Sequence, residues 1–372
     1  MDSPNVIDER PEVASAKKIA QMSREAGPGT TDAAAPLESR NATPSTARSN
    51  QTCRSGALFV TLSEFMDEVP EEPEWIVEGL VAGGCVTELV AKVKVGKTHF
   101  ALDMTASVLA GRPFLGLTTT TVPVIYLTEE GRTSFRSVTA RVGLQGNERL
   151  HLCFRAAARS FTWETISEQV IVYAGNVGAG LVICDHLAAW APIEGDSEND
   201  SGAALASMRP LRDMADAGLS VFVCRHGRKS GGPLGDAGRG SSAFDGEVDV
   251  IAQLERTPGQ GHENRRELTA TGRLEGIPQK MIVELDGGHY VFKGSESAVE
   301  HQETRTAILD LLGDSPETAL TLDEIVKHTH KSRPTVQRVL NGMEDAGEAS
   351  RVKGAGEASA KAYGYWLTPP TP

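Results

Sequence analysis

No apolar run in this 372-residue chain approaches the ~20 residues needed to cross a bilayer, so no membrane-spanning helix is expected. The first residues are acidic and lack an apolar h-region, which argues against a secretory signal. Cysteine is scarce and scattered: Cys53, Cys85, Cys153, Cys184 and Cys224 form no CxxC pair. That odd, unpaired set excludes a disulfide framework and a structural zinc, and fits a reducing cytoplasm. Cys184 and Cys224 lie in or at the end of apolar runs, where a thiol behaves as a small hydrophobe. Positive charge is also in deficit, with 37 Lys and Arg against 50 Asp and Glu, a net −13. Residues 1–60 are neutral and residues 301–372 carry −2, so the middle of the chain holds −11. Such a field opposes non-specific binding to nucleic acid or anionic membranes, and any DNA contact needs a local basic surface. No internal repeat is present.

What the chain has is a clear division of labour along its length. Residues 1–56, rich in Ala, Ser, Thr and Pro, predict a disordered tail. An acidic strap from Glu64 to Glu78 reads as a solvated face, with Trp75–Val77 as a short edge strand inside it. Apolar runs at Val86–Val90, Val122–Leu127, Leu181–Cys184 and Leu219–Cys224 then alternate with helical stretches at Thr98–Ala110, Arg132–Val142, Thr162–Gly175 and Ala203–Ala217. Short continuous Val/Ile/Leu runs between helices predict an α/β fold with a mostly parallel sheet buried on both faces. Arg266–Thr271, Met281–Leu285 and Tyr290–Phe292 predict hairpins added at an edge, closing a domain over 57–292. A polar linker is expected over 293–301, followed by a small domain over 302–372.

The chemistry starts at the turn after the first buried run. Ala91-Lys92-Val93-Lys94-Val95-Gly96-Lys97-Thr98, followed by His99, has the form of a phosphate loop. Backbone N–H groups would cradle a β-phosphate, Lys97 would act as a point charge on β/γ oxygens, and the Thr98 hydroxyl would hold Mg²⁺. The pattern asks for Gly where Ala91 stands; Ala is tolerable there if its φ stays negative. Asp185, ending Leu181–Cys184, is the candidate second carboxylate for the metal. Glu129 and Glu130 follow another strand, and since neighbours cannot both face a nucleotide, Glu129 is favoured as the water-orienting base, with Glu130 as the alternative. His226, after a third strand, could sense a γ-phosphate, although a lone His is more often structural. Arg239, in the loop Gly238–Ser242, could complete a neighbouring subunit's site.

Taken together, WIVEGLVAGGCVTELVAKVKVGKTHFALDM, VIYLTEEG, LVICDHLAAWAPIEGDSEND, VFVCRHGRKSGG and GDAGRGSSAFDGEVDV, in that order, resemble the RecA-like ATPases of the RepA type, relatives of the DnaB-type hexameric replicative helicases. The resemblance spans about Leu58 to Phe292. It implies a RecA-like P-loop core that binds ATP and Mg²⁺, a homo-hexamer or other ring with sites between subunits, and movement along single-stranded DNA. By position it gives Lys97 and Thr98 to the phosphates and metal, Glu129 to the water, Asp185 to Mg²⁺ and His226 to the γ-phosphate. Two departures stand out: Ala91 for the first loop Gly, and Arg225 where many relatives carry the first His of a His-His pair. Arg239 and Arg273 are both eligible as the trans arginine.

The last seventy residues read differently. Thr304–Leu312 predicts a short helix, Thr321-Leu-Asp-Glu324 is a capping-box signature, and Ser332-Arg333-Pro334 opens a third helix. Two strands, Glu348–Val352 and Ala362–Leu367, could pair around Gly354–Ser359. The pattern is that of a winged helix-turn-helix. Lys331, Arg333, Thr335, Gln337 and Arg338 near the start of its third helix are residue types that reach phosphates and base edges in duplex DNA. A winged helix used only for protein contacts is the competing reading. Two functions therefore stand: a DNA-directed ATPase, plausibly a replicative helicase of a mobile element, or an ATP-dependent regulator that senses DNA without unwinding it.

Overall fold

The computed structural model describes residues 59–191, 200–227, 243–257, 262–354 and 362–368. The expected tail, Arg239 with its loop, and most of the Gly354–Ser359 turn lie outside the described residues.

The chain runs through α1 (Leu62–Glu68), β1 (Trp75–Val77), β2 (Val81–Ala82), β3 (Val86–Ala91), α2 (Lys97–Ala110), β4 (Val124–Thr128), α3 (Arg132–Arg141), β5 (Leu150–Phe154) and α4 (Trp163–Val177). It continues through β6 (Leu181–Asp185), α5 (Leu187–Trp190), α6 (Ser201–Asp216), β7 (Ser220–His226), α7 (Ala243–Gly246), β8 (Val250–Arg256), β9 (Arg265–Gly272), β10 (Lys280–Asp286) and β11 (His289–Gly294).

A nine-stranded sheet has the order β11-β10-β9-β8-β3-β7-β6-β4-β5. The six strands from β8 to β5 are parallel, and β9, β10 and β11 extend the sheet antiparallel. The continuous apolar runs are explained by burial on both faces, because successive side chains leave a strand on opposite sides. In β6, Leu181 and Ile183 join the apolar cluster under α2 and α3, with Phe100, Met104 and Phe135. Val182 and Cys184 join the opposite cluster under α4 and α6, with Trp163, Val170, Met208 and Leu211. Each fully buried Leu, Phe or Val side chain contributes about 1.5–3 kcal/mol of transfer free energy, so the two layers hold the strand ends firmly. The described cysteines are all free.

Two strands of the nine-stranded sheet escaped the sequence reading. β5 is the sheet's parallel edge, only half buried, and His151 interrupts its apolar character. β8 lies beside β3 but carries Gln253, Glu255 and Arg256, so it has no continuous apolar run.

The expected linker over 293–301 is corrected as well. Lys293 and Gly294 finish β11, and the Ser295 hydroxyl accepts from Ala298 N to cap α8 (Glu296–Leu311). A Ser/Glu-rich stretch is also what a helix N-terminus asks for, since Ser caps and Glu favours the positive end of the helix dipole. The short helix expected at Thr304–Leu312 is therefore the second half of a 16-residue one.

The remaining elements are β12 (Leu320–Thr321), α9 (Leu322–Thr329), α10 (Arg333–Asp345), β13 (Ala349–Lys353) and β14 (Tyr363–Leu367). The Thr321–Glu324 capping box and the Ser332 cap are formed as the sequence predicts. Ile308, Ile325, Val336, Val339, Leu340 and Met343 make a separate core beside the β12-β14-β13 sheet. The architecture is thus α/β, with a large, mostly parallel sheet followed by a small C-terminal winged helix.

Candidate functional site

Parallel pairing sets the site by register. Ala91 at the end of β3 lies level with His226 at the end of β7, and Thr128 at the end of β4 lies level with Asp185 at the end of β6. At these carboxyl ends opens a cavity of about 350 Å³. Lys94, Gly96, Lys97, Thr98, His99, Glu129, Glu130, Asp185, His186 and His226 are among the residues lining it. This is where open α/β sheets bind ligands.

The phosphate-loop sequence curls into the N-terminus of α2. Gly96 caps the helix with φ of 119°, and Lys94 also takes a left-handed φ of 64°. A Cβ on Gly96 would meet the Tyr290 hydroxyl at 2.5 Å, so both conformation and space require glycine there. Ala91 is a regular β3 residue, buried, and its carbonyl accepts from Lys97 Nζ at 3.0 Å. Lys92 and Val93 are exposed at the loop tip, and Val95 is buried.

Lys97 is nearly buried and also contacts His226 Nδ1 at 2.9 Å. Burial pulls its ammonium below the ordinary lysine value, against the opposing pull of Cys224, Asp185 and Glu129. As an ammonium it can only donate, which makes Nδ1 the acceptor and leaves the His226 proton on Nε2. His226 is therefore joined to the loop lysine.

Asp185 is buried, and Tyr126 donates to its Oδ2 at 3.0 Å. Thr98 and Asp185 together offer a hydroxyl and a carboxylate to one cavity, a hard-oxygen donor set that suits Mg²⁺. Glu129 and Glu130 both line the cavity, contrary to the expectation that only one could. The alternation of β4 ends at Thr128, whose hydroxyl accepts from Glu130 N at 3.1 Å and turns the chain. Burial pushes the Glu130 carboxyl above its ordinary value, opposed by Ser134.

His186 was missed by sequence reasoning. Its Nε2 lies 2.9 Å from Glu129 Oε1, and its ring stands edge-on to His226 with centroids 4.3 Å apart. Its position directly after Asp185 was the available signal. His99 turns partly to a second task, with Nε2 2.6 Å from the Gly288 carbonyl.

Arg225 does not face the cavity at all. It pairs with Glu88, which is fully buried, and with Asp245, and its guanidinium stacks 4.4 Å over Phe244. That departure from the His-His pattern is structural. Arg273 is exposed and donates to the Gly246 carbonyl at 2.7 Å, with Asp249 3.5 Å away.

On the winged helix the five candidate DNA residues are not equally available. Thr335 is buried, within reach of Ser332 Oγ at 2.8 Å and Glu300 at 3.5 Å, so it cannot meet a groove. Lys331 is bound to Glu303 at 3.1 Å, Arg333 to Asp323, and Gln337 to Asn341 at 2.8 Å. Arg338 is exposed, with no ion pair among the described residues. Glu303 also accepts Arg265 from β9, tying this helix to the larger sheet.

Residues 51–232 match the AAA domain family, and residues 306–352 match the IclR helix-turn-helix domain. No curated protein matches the chain. Among solved structures the chain is similar to a KaiC-like protein from the hyperthermophilic archaeon Pyrococcus horikoshii OT3, at 14% identity and a TM-score of 0.43, over 59% of this chain and 95% of that one. Two separate parts of the chain thus resemble known families, an AAA domain that includes the phosphate loop and a helix-turn-helix domain near the C-terminus.

Proposed function

We propose that this chain is an ATP-hydrolysing, DNA-directed motor, a helicase of the RepA type that works as a ring. One observation carries the reading. Lys97, which opens α2, and Glu129, Asp185 and His226, at or just after the ends of β4, β6 and β7, converge on a single cavity at the carboxyl edge of the sheet. On this reading the loop N–H groups and Lys97 hold the triphosphate, with Lys97 passing from His226 to the phosphate oxygens. Glu129 orients a water, whose oxygen attacks the γ-phosphorus in line as the bond to the ADP oxygen breaks. His226, released from Lys97, can donate from Nε2 to a γ-phosphate oxygen. Thr98 and Asp185 would hold Mg²⁺, which when bound draws charge from the phosphate oxygens. Arg273, or Arg239 outside the described residues, would reach the site of a neighbouring copy. Single-stranded DNA would pass the ring, and duplex would meet the winged helix.

A second reading, an ATP-dependent regulator without unwinding, is favoured by the pairing of Lys331 and Arg333 with acids. Both readings meet the same test. The motor reading expects ATP hydrolysis stimulated by single-stranded DNA, together with strand displacement. Stimulation by duplex with no displacement would leave the regulator, and absence of any ATP hydrolysis would refute both.

A further inference from the structure

The nucleotide loop lacks two of the features that usually shape such a turn: Ala91 stands in place of its first Gly, and Lys94, not a glycine, takes a left-handed φ. A loop whose N–H groups face a ligand must turn its carbonyls the other way, and those carbonyls need donors. Here they have them. Arg256, at the end of β8, donates from Nη2 to the Lys94 carbonyl at 2.9 Å. Arg266, in β9, donates from Nε to the Val95 carbonyl at 2.9 Å. Neither guanidinium lines the cavity, so both act from behind the loop.

Arg266 is unusual in a second respect. It is only 5% exposed, yet its remaining hydrogen bonds go to the carbonyls of Glu263 (2.6 Å) and Arg265 (2.7 Å). Among the described residues it forms no ion pair. A buried cation with no carboxylate is costly, and burial draws its guanidinium below the ordinary arginine value. Structural arginines are normally buried with an acid, as Arg225 is with Glu88. The extended edge of the sheet braces the same loop from another side. Asp103 of α2 holds Tyr290 N at 2.6 Å and His289 Nδ1 at 2.7 Å, and this places the buried Tyr290 hydroxyl, which has no hydrogen-bond partner among the described residues, against Gly96.

We propose that Arg266, assisted by Arg256, is a positioning residue for the nucleotide: it fixes the Val95 carbonyl outward so that the loop is already curled for a polyphosphate. The anion that balances its buried charge is the polyphosphate on the other side of the loop. The proposal rests on the nucleotide reading above, and it assigns a function to the antiparallel β9–β11 extension, none of whose residues lines the cavity.

The test is an equilibrium titration of the full chain with a fluorescent ADP analogue and with ATP, alongside thermal unfolding of the ligand-free protein. Arg266→Gln keeps a donor for Val95 but removes the charge and the fork, and should weaken both nucleotides at least about tenfold, the scale of one charge-assisted hydrogen bond. Arg266→Lys, which keeps the charge, should recover part of that loss. The comparison variant is Lys280→Gln, which removes a cation from β10 that pairs with Glu267 and Glu296. It should leave nucleotide affinity unchanged even if it lowers the unfolding temperature. If Arg266→Gln binds within twofold of wild type, or loses no more affinity than Lys280→Gln, the proposal is overturned. Should Arg266→Gln fail to fold, the exposed Arg256→Gln carries the same comparison: a loss of threefold or more supports the brace, and unchanged affinity refutes it. No nucleotide binding by the wild-type chain would refute the ATPase reading instead.

Discussion

Replacing Arg225 with Met removes the cation from the buried Arg225–Glu88–Asp245 cluster and tests whether that position is structural. Glu88 is 0% exposed and Arg225 6%, so the carboxylate has no route to water once its partner is gone. Removing one member of a buried pair typically costs about 3–5 kcal/mol, because an uncompensated charge remains. At about 2–4 °C per kcal/mol for a domain of this size, the unfolding temperature should fall by roughly 6–20 °C. The loss should also depend on pH. Burial already pushes the Glu88 carboxyl above its ordinary value, against the pull of Arg225, and without Arg225 it must rise further. A carboxyl whose folded pKa is raised contributes most when protonated, and that contribution fades as pH rises through the folded value. The variant should therefore lie closer to wild type at pH 5 than at pH 8. Glu88→Leu combined with Arg225→Met should recover most of the stability, since the fully buried charge is gone and only the partly exposed Asp245 carboxylate remains. Calorimetry of the four proteins at both pH values gives the cycle. A pH-independent loss, or a double variant no better than Arg225→Met alone, would refute the reasoning.

Lys97→Ala should abolish ATP hydrolysis in a phosphate-release assay, whereas Ala91→Gly should equal or exceed wild type, because Ala91 is an ordinary strand residue and only its carbonyl meets Lys97. Glu129→Gln should keep ATP affinity and lose about two orders of magnitude or more in turnover, while Glu130→Gln should lose far less; the reverse order in single-turnover rates would transfer the role to Glu130. Duplex-DNA titrations of the full chain should give a salt slope of roughly −2, and Glu303→Gln, by freeing Lys331, should steepen it by about one unit; an unchanged slope would mean that Lys331 does not meet phosphate. The contact of Glu303 with Arg265 and Lys331 should itself weaken in acid. Burial pushes the Glu303 carboxyl up, but the hydrogen bonds from both cations outweigh it and hold it below its ordinary value of 4.5. The stability it adds is complete above that value and is lost as pH falls through the lower folded one.

The parts of this molecule that could be read in its sequence are those with a local rule behind them. Strands buried on both faces announce themselves as apolar runs, and Ser332, Thr321 and the Gly96-Lys97-Thr98 turn carry their geometry in their residue types. The missing strands fail that rule for physical reasons: β5 is a half-solvated edge, and β8 hides its pairing with β3 behind Gln253 and Glu255. The convergence of Lys97 with His226 depends on contact between residues 129 positions apart, and only the order of strands determines it. The contacts of His186 were out of reach for the same reason, since its partners are Glu129, just after β4, and His226 of β7. Arg266 gave no signal, because an arginine in a polar-alternating strand looks solvent-exposed until the loop it serves is placed beside it.

The central place of β3 also has a consequence for how the chain is made. Both strands that flank it, β7 and β8, emerge from the ribosome long after it does, and Val86 bonds to Asp249, which is 163 residues away. At synthesis rates of about 5–20 residues per second, that separation is roughly 10–30 s. Until β7 is made, β3, which the fold buries along its whole length, has no flanking strand to join, and the nucleotide loop at its end has neither Arg256 nor Arg266 behind it. The nucleotide loop is therefore completed late, when β8 pairs with β3 and β9 pairs with β8. A nascent chain halted before Ser220 would carry the whole phosphate-loop sequence and be unable to shape it, exposing β3 to chaperones or to the β3 of another stalled chain.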